Sequence, residues 1–247
     1  MERGDRAPVA TFYAADLTSR AEDVSLDESA ARHAGVRRLS QGDTVRLTNG
    51  AGAVGLGTIR SLEKREMMVE LRGVEQIPPA PLLEVLAPVA DRDRMLWLAE
   101  KCAELGVTVW QPVIFSRSRS VVPRGEGAAF AAKVRARMVG ALEQSGGAWL
   151  PDIRRELPLE QAVARVTART RYVLARAGDR IDATDAHHGT AVVFGPEGGI
   201  EPGEQALLQT WGWRRVGLGP TTLRFETAGI AAVAILRAGT PTGDAEG

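Results

Sequence analysis

The stretch Ala191-Val192-Val193-Phe194-Gly195-Pro196-Glu197-Gly198-Gly199 places a glycine-rich turn directly after a short apolar run. A second turn, Leu218-Gly219-Pro220, follows another apolar segment and leads into Leu223-Arg224-Phe225-Glu226-Thr227-Ala228. Each pattern is typical of a junction between a strand and a helix, where open α/β sheets place their ligand sites. Glycine in such a turn permits positive φ and lets a ligand approach main-chain groups. Two such turns could line one pocket, and with Leu223-Arg224 attached they favour a ligand site over two ordinary turns.

Composition and charge limit the classes of protein to which the chain can belong. Its 247 residues, of which 44% are hydrophobic, are enough for one or two domains. Because 31 basic residues balance 31 acidic ones, any nucleic-acid surface must be a local patch. A single cysteine, Cys102, excludes an internal disulfide and a cysteine-cluster metal site. No secretory signal and no run of about 18 apolar residues is present. We therefore expect a cytoplasmic protein with no membrane partner and no DNA partner.

The first third of the chain has the pattern of short strands. Val45 and Leu47 alternate with polar residues and are followed by Asn49-Gly50, a strong hairpin signal. Glycines at 52, 55 and 57 then predict bulges or a tight corner in the next strand. One helix is expected from Asp27 to Leu39, with Asp27 as its N-cap. Together these signals predict a small β-barrel.

The rest of the chain follows a proline-containing linker, Val74 to Pro81, and alternates strands with helices. Such alternation is typical of a largely parallel sheet. The final helix is apolar nearly all round, which predicts burial in the core or in a subunit interface. The expected helices are Asp91–Leu105, Ala128–Gln144, Leu159–Ala168, one opening at Glu201-Pro202, and Glu226–Ala238, and the expected strands include Val107–Phe115 and Tyr172–Ala175.

The chemistry of the first glycine turn narrows the choice of ligand. It lacks the Lys-Ser/Thr pair of a P-loop and the spacing of a dinucleotide fingerprint. Glu197 would place a carboxylate beside a polyphosphate, whereas a cationic or zwitterionic ligand tolerates it. A metal is not expected either, because the loop that carries His187 and His188 with Asp182 and Asp185 has no second ligand cluster.

The chain resembles the SPOUT methyltransferases and, more closely, the bacterial 16S ribosomal RNA (uracil-N3)-methyltransferase family. Its two C-terminal turns carry the most specific part of this resemblance. Further matching segments occur in the right order along nearly the whole chain: Phe12-Tyr13, Asp93-Arg94-Met95, Glu100–Val107, Pro112, Ser116-Arg117-Ser118 and Glu143-Gln144-Ser145-Gly146.

The resemblance implies a PUA-like β-barrel that binds RNA over residues 1–74 and a SPOUT methyltransferase domain over residues 75–247. The latter is expected to be an open parallel sheet with a deep trefoil knot, acting as a homodimer without a metal. The implied cofactor is S-adenosylmethionine (SAM), and the implied substrate is N3 of a specific uridine in 16S ribosomal RNA within the small subunit. By position, the cofactor residues are Gly195, Glu197, Gly198, Gly199, Ile200, Leu218, Gly219, Leu223 and Arg224.

Catalytic roles follow from the chemistry of uracil. Its N3 must lose a proton, and negative charge then develops on the ring oxygens. Arg224 is the candidate for stabilising that charge, since a guanidinium is always ionised. Glu226 or Glu197 could accept the proton, although the helix macrodipole alone also favours an acid at Glu226.

RNA contacts are expected from local arginine clusters. The segment from Ser116 to Arg137 holds six basic residues and one acidic residue, a net charge of +5. The expected contact residues are Arg32, Arg37, Arg38, Arg117, Arg119 and Arg124. His33 on the barrel helix could contact RNA or simply pack.

Two other functions stay open on sequence alone. The first is a SPOUT methyltransferase with another RNA target, such as a ribose 2′-oxygen. The second is a non-catalytic RNA-binding or ribosome-assembly protein, against which the intact glycine turns argue because a pure binder needs no SAM pocket.

Overall fold

The computed structural model describes residues 7–120 and 124–240. The chain divides into two compact units. The first holds the described part of Met1–Pro79 together with Val139–Leu150, and the second holds the described parts of Ala80–Met138 and Pro151–Gly247. The predicted domain boundary between residues 74 and 75 stays a prediction.

The first unit contains one five-stranded sheet and a helix. In chain order its elements are β1 (Thr11–Tyr13), β2 (Asp23–Leu26), α1 (Glu28–Val36), β3 (Thr44–Thr48), β4 (Ala53–Leu62) and β5 (Met67–Gln76). The strand order is β1-β3-β4-β5-β2, in which β1 and β3 are parallel and the other pairs are antiparallel. Phe12, Leu47 and Met67 are fully buried in its apolar core.

The hairpin between β3 and β4 forms where Asn49-Gly50 predicted it. The Asn49 Oδ1 atom accepts hydrogen bonds from the backbone N–H groups of Ala51 at 2.8 Å and Ala53 at 3.1 Å. The predicted bulge is also present, since the pairing of β4 with β5 shifts register between Leu56 and Gly57. A Cβ atom at Gly57 would lie 2.5 Å from Val69 Cγ1, so only glycine fits this corner.

Helix α1 begins as predicted but ends three residues early. Asp27 is its N-cap, and the Oδ1 atom accepts from the backbone N–H groups of Ser29 at 2.9 Å and Ala30 at 3.1 Å. The helix ends at Val36 rather than Leu39 because Arg38 takes a φ of +58°, which a helix cannot continue through.

The second unit is built on parallel strands connected by helices, as predicted. In chain order, the strands and α-helices that follow β5 are β6 (Leu83–Pro88), α2 (Arg92–Glu104), β7 (Val109–Ile114), α3 (Ala128–Ser145), β8 (Asp152–Ile153), β9 (Leu157–Pro158), α4 (Leu159–Ala164), β10 (Thr170–Asp179), β11 (Thr190–Val193), α5 (Pro202–Thr210), β12 (Arg214–Val216) and α6 (Phe225–Ala238). Helix α3 belongs to both units, since its C-terminal part from Val139 onward is counted with the first.

The sheet of the second unit has the order β12-β10-β11-β6-β7-β8, with β9 also paired to β7. All of its strand pairs are parallel. The α/β fold class with a parallel sheet is therefore confirmed. The trefoil knot stays a prediction, because it concerns the threading of the chain and not the pairing of its strands.

The main errors of the sequence interpretation lie around the linker. Residues 74–76 belong to β5, and β6 follows as a strand that the pattern did not predict. The buried carboxylate of Glu84 interrupts the apolar run of β6. Its Oε1 atom accepts from the backbone N–H groups of Thr167 at 2.8 Å and Ala168 at 3.0 Å, partners that are distant in sequence. In the same unit, α4 ends at Ala164 rather than Ala168, and β10 is longer than predicted.

Candidate active site

The first glycine turn, residues 195–200, connects β11 to α5. Gly199 has a φ of +75°, and its N–H donates to the carbonyl oxygen of Pro196 at 2.8 Å. A Cβ atom on Gly195 would lie 2.6 Å from Ile200 Cγ1. A side chain is therefore excluded at Gly195 by close contact and disfavoured at Gly199 by the positive φ, which leaves main-chain groups accessible.

The second turn, residues 217–224, connects β12 to α6. Gly217 donates its N–H to the carbonyl oxygen of Asp179 at 2.9 Å, and Gly219 has a φ of +139°. Leu218 is half-buried, while Leu223 is exposed. Arg224 is the N-cap residue of α6, and its exposed guanidinium forms no ion pair with residues 7–120 or 124–240.

The two turns lie at the same edge of the sheet. Strands β11 and β12 both run parallel to β10 and flank it, so the carboxyl ends of β11 and β12 point the same way. The crevice outside the carboxyl ends of parallel strands is the usual ligand position in such sheets. The predicted cofactor residues are therefore brought to one side of the second unit.

Arg94 on α2 lies between a carboxylate of the first turn and a carboxylate of α6, the helix that follows the second turn. Its Nη1 atom is 3.4 Å from Glu197 Oε1 in the first turn, and its Nε atom is 3.9 Å from Glu226 Oε1 in α6. The sequence interpretation used Arg94 only as part of a family motif and missed this contact. The one available signal was the helix N-cap at Asp91, which places Arg94 in the first turn of α2.

Glu226 is the most enclosed acid of the site. Its side chain is only 6% exposed, and its Oε2 atom has no hydrogen-bond partner among the described residues. An unpaired carboxylate oxygen in such a place is costly, so it indicates a group that can take a proton or a ligand. Glu197, by comparison, is 33% exposed and accessible to a ligand from the solvent side.

The predicted RNA-contacting arginines occupy both units. Arg32, Arg37 and Arg38 are exposed on α1 and just after it. Arg32 lies 3.6 Å from Glu28, and Arg37 Nε donates to His33 Nε2 at 2.9 Å. In the second unit, Arg124 pairs with Glu126 at 2.6 Å. The side chain of Arg119 lies outside the described residues. Ion pairs at the surface contribute little to the stability of the fold, so these arginines stay available to phosphate.

Arg117 has surroundings of a different kind. Its Nη1 atom donates to the carbonyl oxygen of Gly198 in the first glycine turn, and its Nε atom lies 3.6 Å from Glu201 Oε1. The structure therefore places this predicted RNA contact against the predicted cofactor turn.

Several motif residues of the first unit meet around Glu143. Its Oε1 atom accepts from the backbone N–H of Tyr13 at 2.9 Å, and its Oε2 atom is 3.7 Å from His33 Nδ1. The His33 ring also packs edge-on against Phe12, with 5.4 Å between the ring centroids. Of the two readings of His33, packing is the one these contacts support.

The loop that carries His187 and His188 also contains Asp185, whose carboxylate makes structural contacts. Asp185 accepts a hydrogen bond from the hydroxyl of Tyr172 and pairs with Arg214 at 2.8 Å. Burial, first of all, and the bond to Asp185 raise the pKa of Tyr172 to about 12, so the phenol stays a donor. Among the described residues no group of three or more His, Cys, Asp or Glu side chains could hold a metal ion. None of the described helices is long and apolar enough to cross a membrane.

Comparison with known proteins adds two family matches. The model of an RNA methyltransferase domain matches residues 78–237, and the model of an RNA methyltransferase PUA domain matches residues 26–71. The chain is similar to ribosomal RNA small subunit methyltransferase E of Aquifex aeolicus, with 26% identity covering 85% of this chain and 92% of the relative. The Mycobacterium tuberculosis protein of that name is 28% identical over 91% of this chain and 88% of its own length.

A solved structure extends the similarity to three dimensions. Ribosomal RNA small subunit methyltransferase E of Neisseria gonorrhoeae, bound to SAM, superposes with a TM-score of 0.81 at 27% identity. The match covers 93% of this chain and 97% of that one.

Proposed function

We propose that this chain, which belongs to the RNA methyltransferase family, transfers a methyl group from SAM to N3 of one uridine in 16S ribosomal RNA. The observation that carries this proposal is the meeting of two glycine turns at one edge of a parallel sheet, linked through Arg94 to two carboxylates. The names of the relatives support the ribosomal substrate, and the SAM-bound neighbour supports the cofactor.

The residues of the two turns fit SAM, whose sulfonium and ammonium groups are cationic. The glycines expose main-chain groups, because side chains are excluded at Gly195 and disfavoured at Gly199. Glu197 offers a carboxylate to a cation, and the half-buried Leu218 offers an aliphatic wall to an adenine. We assign the binding of SAM to Gly195, Glu197, Gly198, Gly199, Ile200, Leu218, Gly219, Leu223 and Arg224.

When bound, SAM supplies an electrophilic methyl group, and the protein must prepare the nucleophile. Uracil N3 needs to lose its proton and to be held in line with that methyl group. Arg224 is suited to stabilise the negative charge on the uracil oxygens, because its guanidinium is exposed and not used in an ion pair with the described residues. Glu226 is our candidate for the proton acceptor, since Arg94 approaches one of its oxygens and leaves the other unpaired.

Each unit by itself carries arginines that are candidates for RNA contacts. The PUA match spans α1, so Arg32, Arg37 and Arg38 lie in the part of the chain expected to bind RNA. Arg119 and Arg124 from the second unit remain candidates for further phosphate contacts. We expect the substrate to be 16S RNA assembled in the small subunit and the reaction to take place in the cytoplasm.

A homodimer is part of the proposal. Helices α2 and α6 each present an exposed apolar side chain, Trp97 at 47% and Ile235 at 39%. Beside Ile235, the half-buried Ile230 and Ala231 continue the same apolar character along α6. Covering these faces with a second copy would explain the nearly all-apolar sequence of α6. The trefoil knot completes the proposed architecture.

A calorimetric titration with SAM tests the cofactor site first. We expect the wild-type protein to bind SAM and Gly198→Val to abolish binding, because a side chain there would meet Arg117 Cβ at 3.0 Å. Gly203→Val is the matched control, since a Cβ at Gly203 meets nothing within 4 Å. Absence of wild-type binding at millimolar SAM would favour a non-catalytic RNA-binding protein.

The product then identifies the target atom. Small subunits that lack the modification are incubated with the protein and labelled SAM, and the digested nucleosides are separated by mass spectrometry. We expect 3-methyluridine. A 2′-O-methylated nucleoside would instead establish the second enzymatic reading.

A further inference from the structure

The turn that follows β7 is closed by hydrogen bonds of the buried residue Ser118. Residues Ser116–Ser120 form a 3₁₀ helix, and Ser118 within it is completely buried. The Ser118 Oγ atom accepts from the backbone N–H of Phe115 at 3.2 Å, while the Ser118 N–H donates to the Phe115 carbonyl at 3.0 Å. This pair of bonds closes a turn around the two residues between them, Ser116 and Arg117.

The Arg117 side chain lies along the first glycine turn. A Cβ atom at Gly198 would be 3.0 Å from Arg117 Cβ and 3.2 Å from Arg117 Cδ. The aliphatic stem of Arg117 therefore occupies the space next to Gly198. Its guanidinium continues past this point to donate to the Gly198 carbonyl and to approach Glu201.

The start of α5 is tied to the same 3₁₀ turn. One oxygen of Glu204 accepts from the backbone N–H of Ser116 at 2.7 Å, and the other accepts from the N–H of Glu201 at 2.9 Å. Glu201 and Glu204 form a capping box at the N-terminus of α5. The 3₁₀ turn thus contacts the glycine turn and the helix that follows it at three points: Gly198, Glu201 and Glu204.

We infer that Arg117 is a positioning residue for the SAM-binding turn 195–200, and not a contact to RNA phosphate. The stem of Arg117 next to Gly198, its bond to the Gly198 carbonyl and its pairing with Glu201 hold the turn in the shape that the cofactor needs. This inference rests on the proposed SAM site. The forked guanidinium suits this role, because its planar donors are fixed in direction toward the carbonyl and the carboxylate, whereas a lysine ammonium sits on a flexible stem.

Two measurements test this inference with Arg117→Ala, Arg117→Lys and, as a control, the exposed arginine substitution Arg169→Ala. The first is amide hydrogen exchange of the protein without SAM. We expect Arg117→Ala to accelerate exchange in residues 198–201 about tenfold. Arg117→Lys should restore part of the protection, because its stem still covers Gly198. Arg169→Ala should match the wild type.

The second measurement is steady-state methylation of the small subunit. For Arg117→Ala we expect the KM for SAM to rise about tenfold, which corresponds to the loss of one charge-assisted contact. The kcat at saturating SAM and the KM for RNA should stay within about twofold of the wild type, since the reacting groups are untouched.

Opposite results would assign Arg117 to RNA. Unchanged exchange and an unchanged KM for SAM, together with a raised KM for RNA and a smaller salt dependence, would overturn the inference. If the wild type binds no SAM at all, the proposed function fails, but the exchange measurement still decides whether Arg117 holds the turn.

Discussion

At the scale of single residues, Arg94 and Arg224 are two cations of the candidate site with different surroundings. Arg94 lies between Glu197 and Glu226, so its charge is already matched by acids of the protein. Arg224 stands at the start of α6 without an ion pair among the described residues. Its charge is therefore available to a substrate, which is why we assign the developing negative charge to Arg224 and the organisation of the acids to Arg94.

Replacement of Arg224 tests this division of roles. We expect Arg224→Ala to lower kcat about 10²- to 10³-fold, the usual effect of removing one donor to a developing anion. The affinity for SAM, measured by calorimetry, should fall much less than kcat, because the other residues assigned to SAM are retained. Arg224→Lys should recover only part of the rate, because one ammonium cannot replace a fork of donors. Wild-type turnover by Arg224→Ala would remove this residue from the mechanism.

Cys102 illustrates a residue whose environment decides its reactivity. It lies on the buried face of α2, and burial raises the pKa of its thiol well above the ordinary value. Only the thiolate reacts with disulfide reagents. We expect the folded protein to resist labelling by such a reagent at pH 8 and the unfolded protein in urea to react with one equivalent. Rapid labelling of the folded protein would contradict the buried position.

At the scale of elements, local chemistry explains where helices begin better than where they end. Asp27 and Asp91 both accept backbone N–H groups at the first turn of their helices, as their residue types suggest. The end of α1 depends instead on the left-handed conformation of Arg38, which is not a residue type that favours it. Strand β6 was missed for a related reason, because its Glu84 finds its partners only in the folded unit.

The cap of α1 gives a quantitative prediction. Asp27→Ala removes the acceptor for Ser29 and Ala30, and we expect it to cost about 1 kcal/mol of unfolding free energy in urea. Asp27→Asn keeps an acceptor at the same position and should cost much less. Equal losses in the two variants would mean that the charge of Asp27, and not its cap, stabilises the helix.

At the scale of the whole molecule, the balanced net charge of the chain conceals local positive clusters. We expect RNA affinity to fall steeply with salt, by about 0.7 to 0.9 in log K per log unit of salt for each phosphate contacted. Replacement of any one of Arg32, Arg37 and Arg38 by glutamate should weaken binding and lower that slope, whereas Arg169→Glu, which makes the same change of net charge, should do so much less. An affinity that is flat in salt would remove these arginines from the RNA surface.

Residue types and their local patterns were sufficient to predict the α/β class, the two glycine turns, the apolar final helix and the position of most helices. These features depend on residue type, periodicity and backbone freedom, all of which act over a few neighbouring residues. Only the tertiary structure revealed that Arg94 joins Glu197 to Glu226 and that Arg117 lies on Gly198. Those contacts link residues about 80 to 130 positions apart. They exist only because parallel strands bring distant turns to one edge of the sheet.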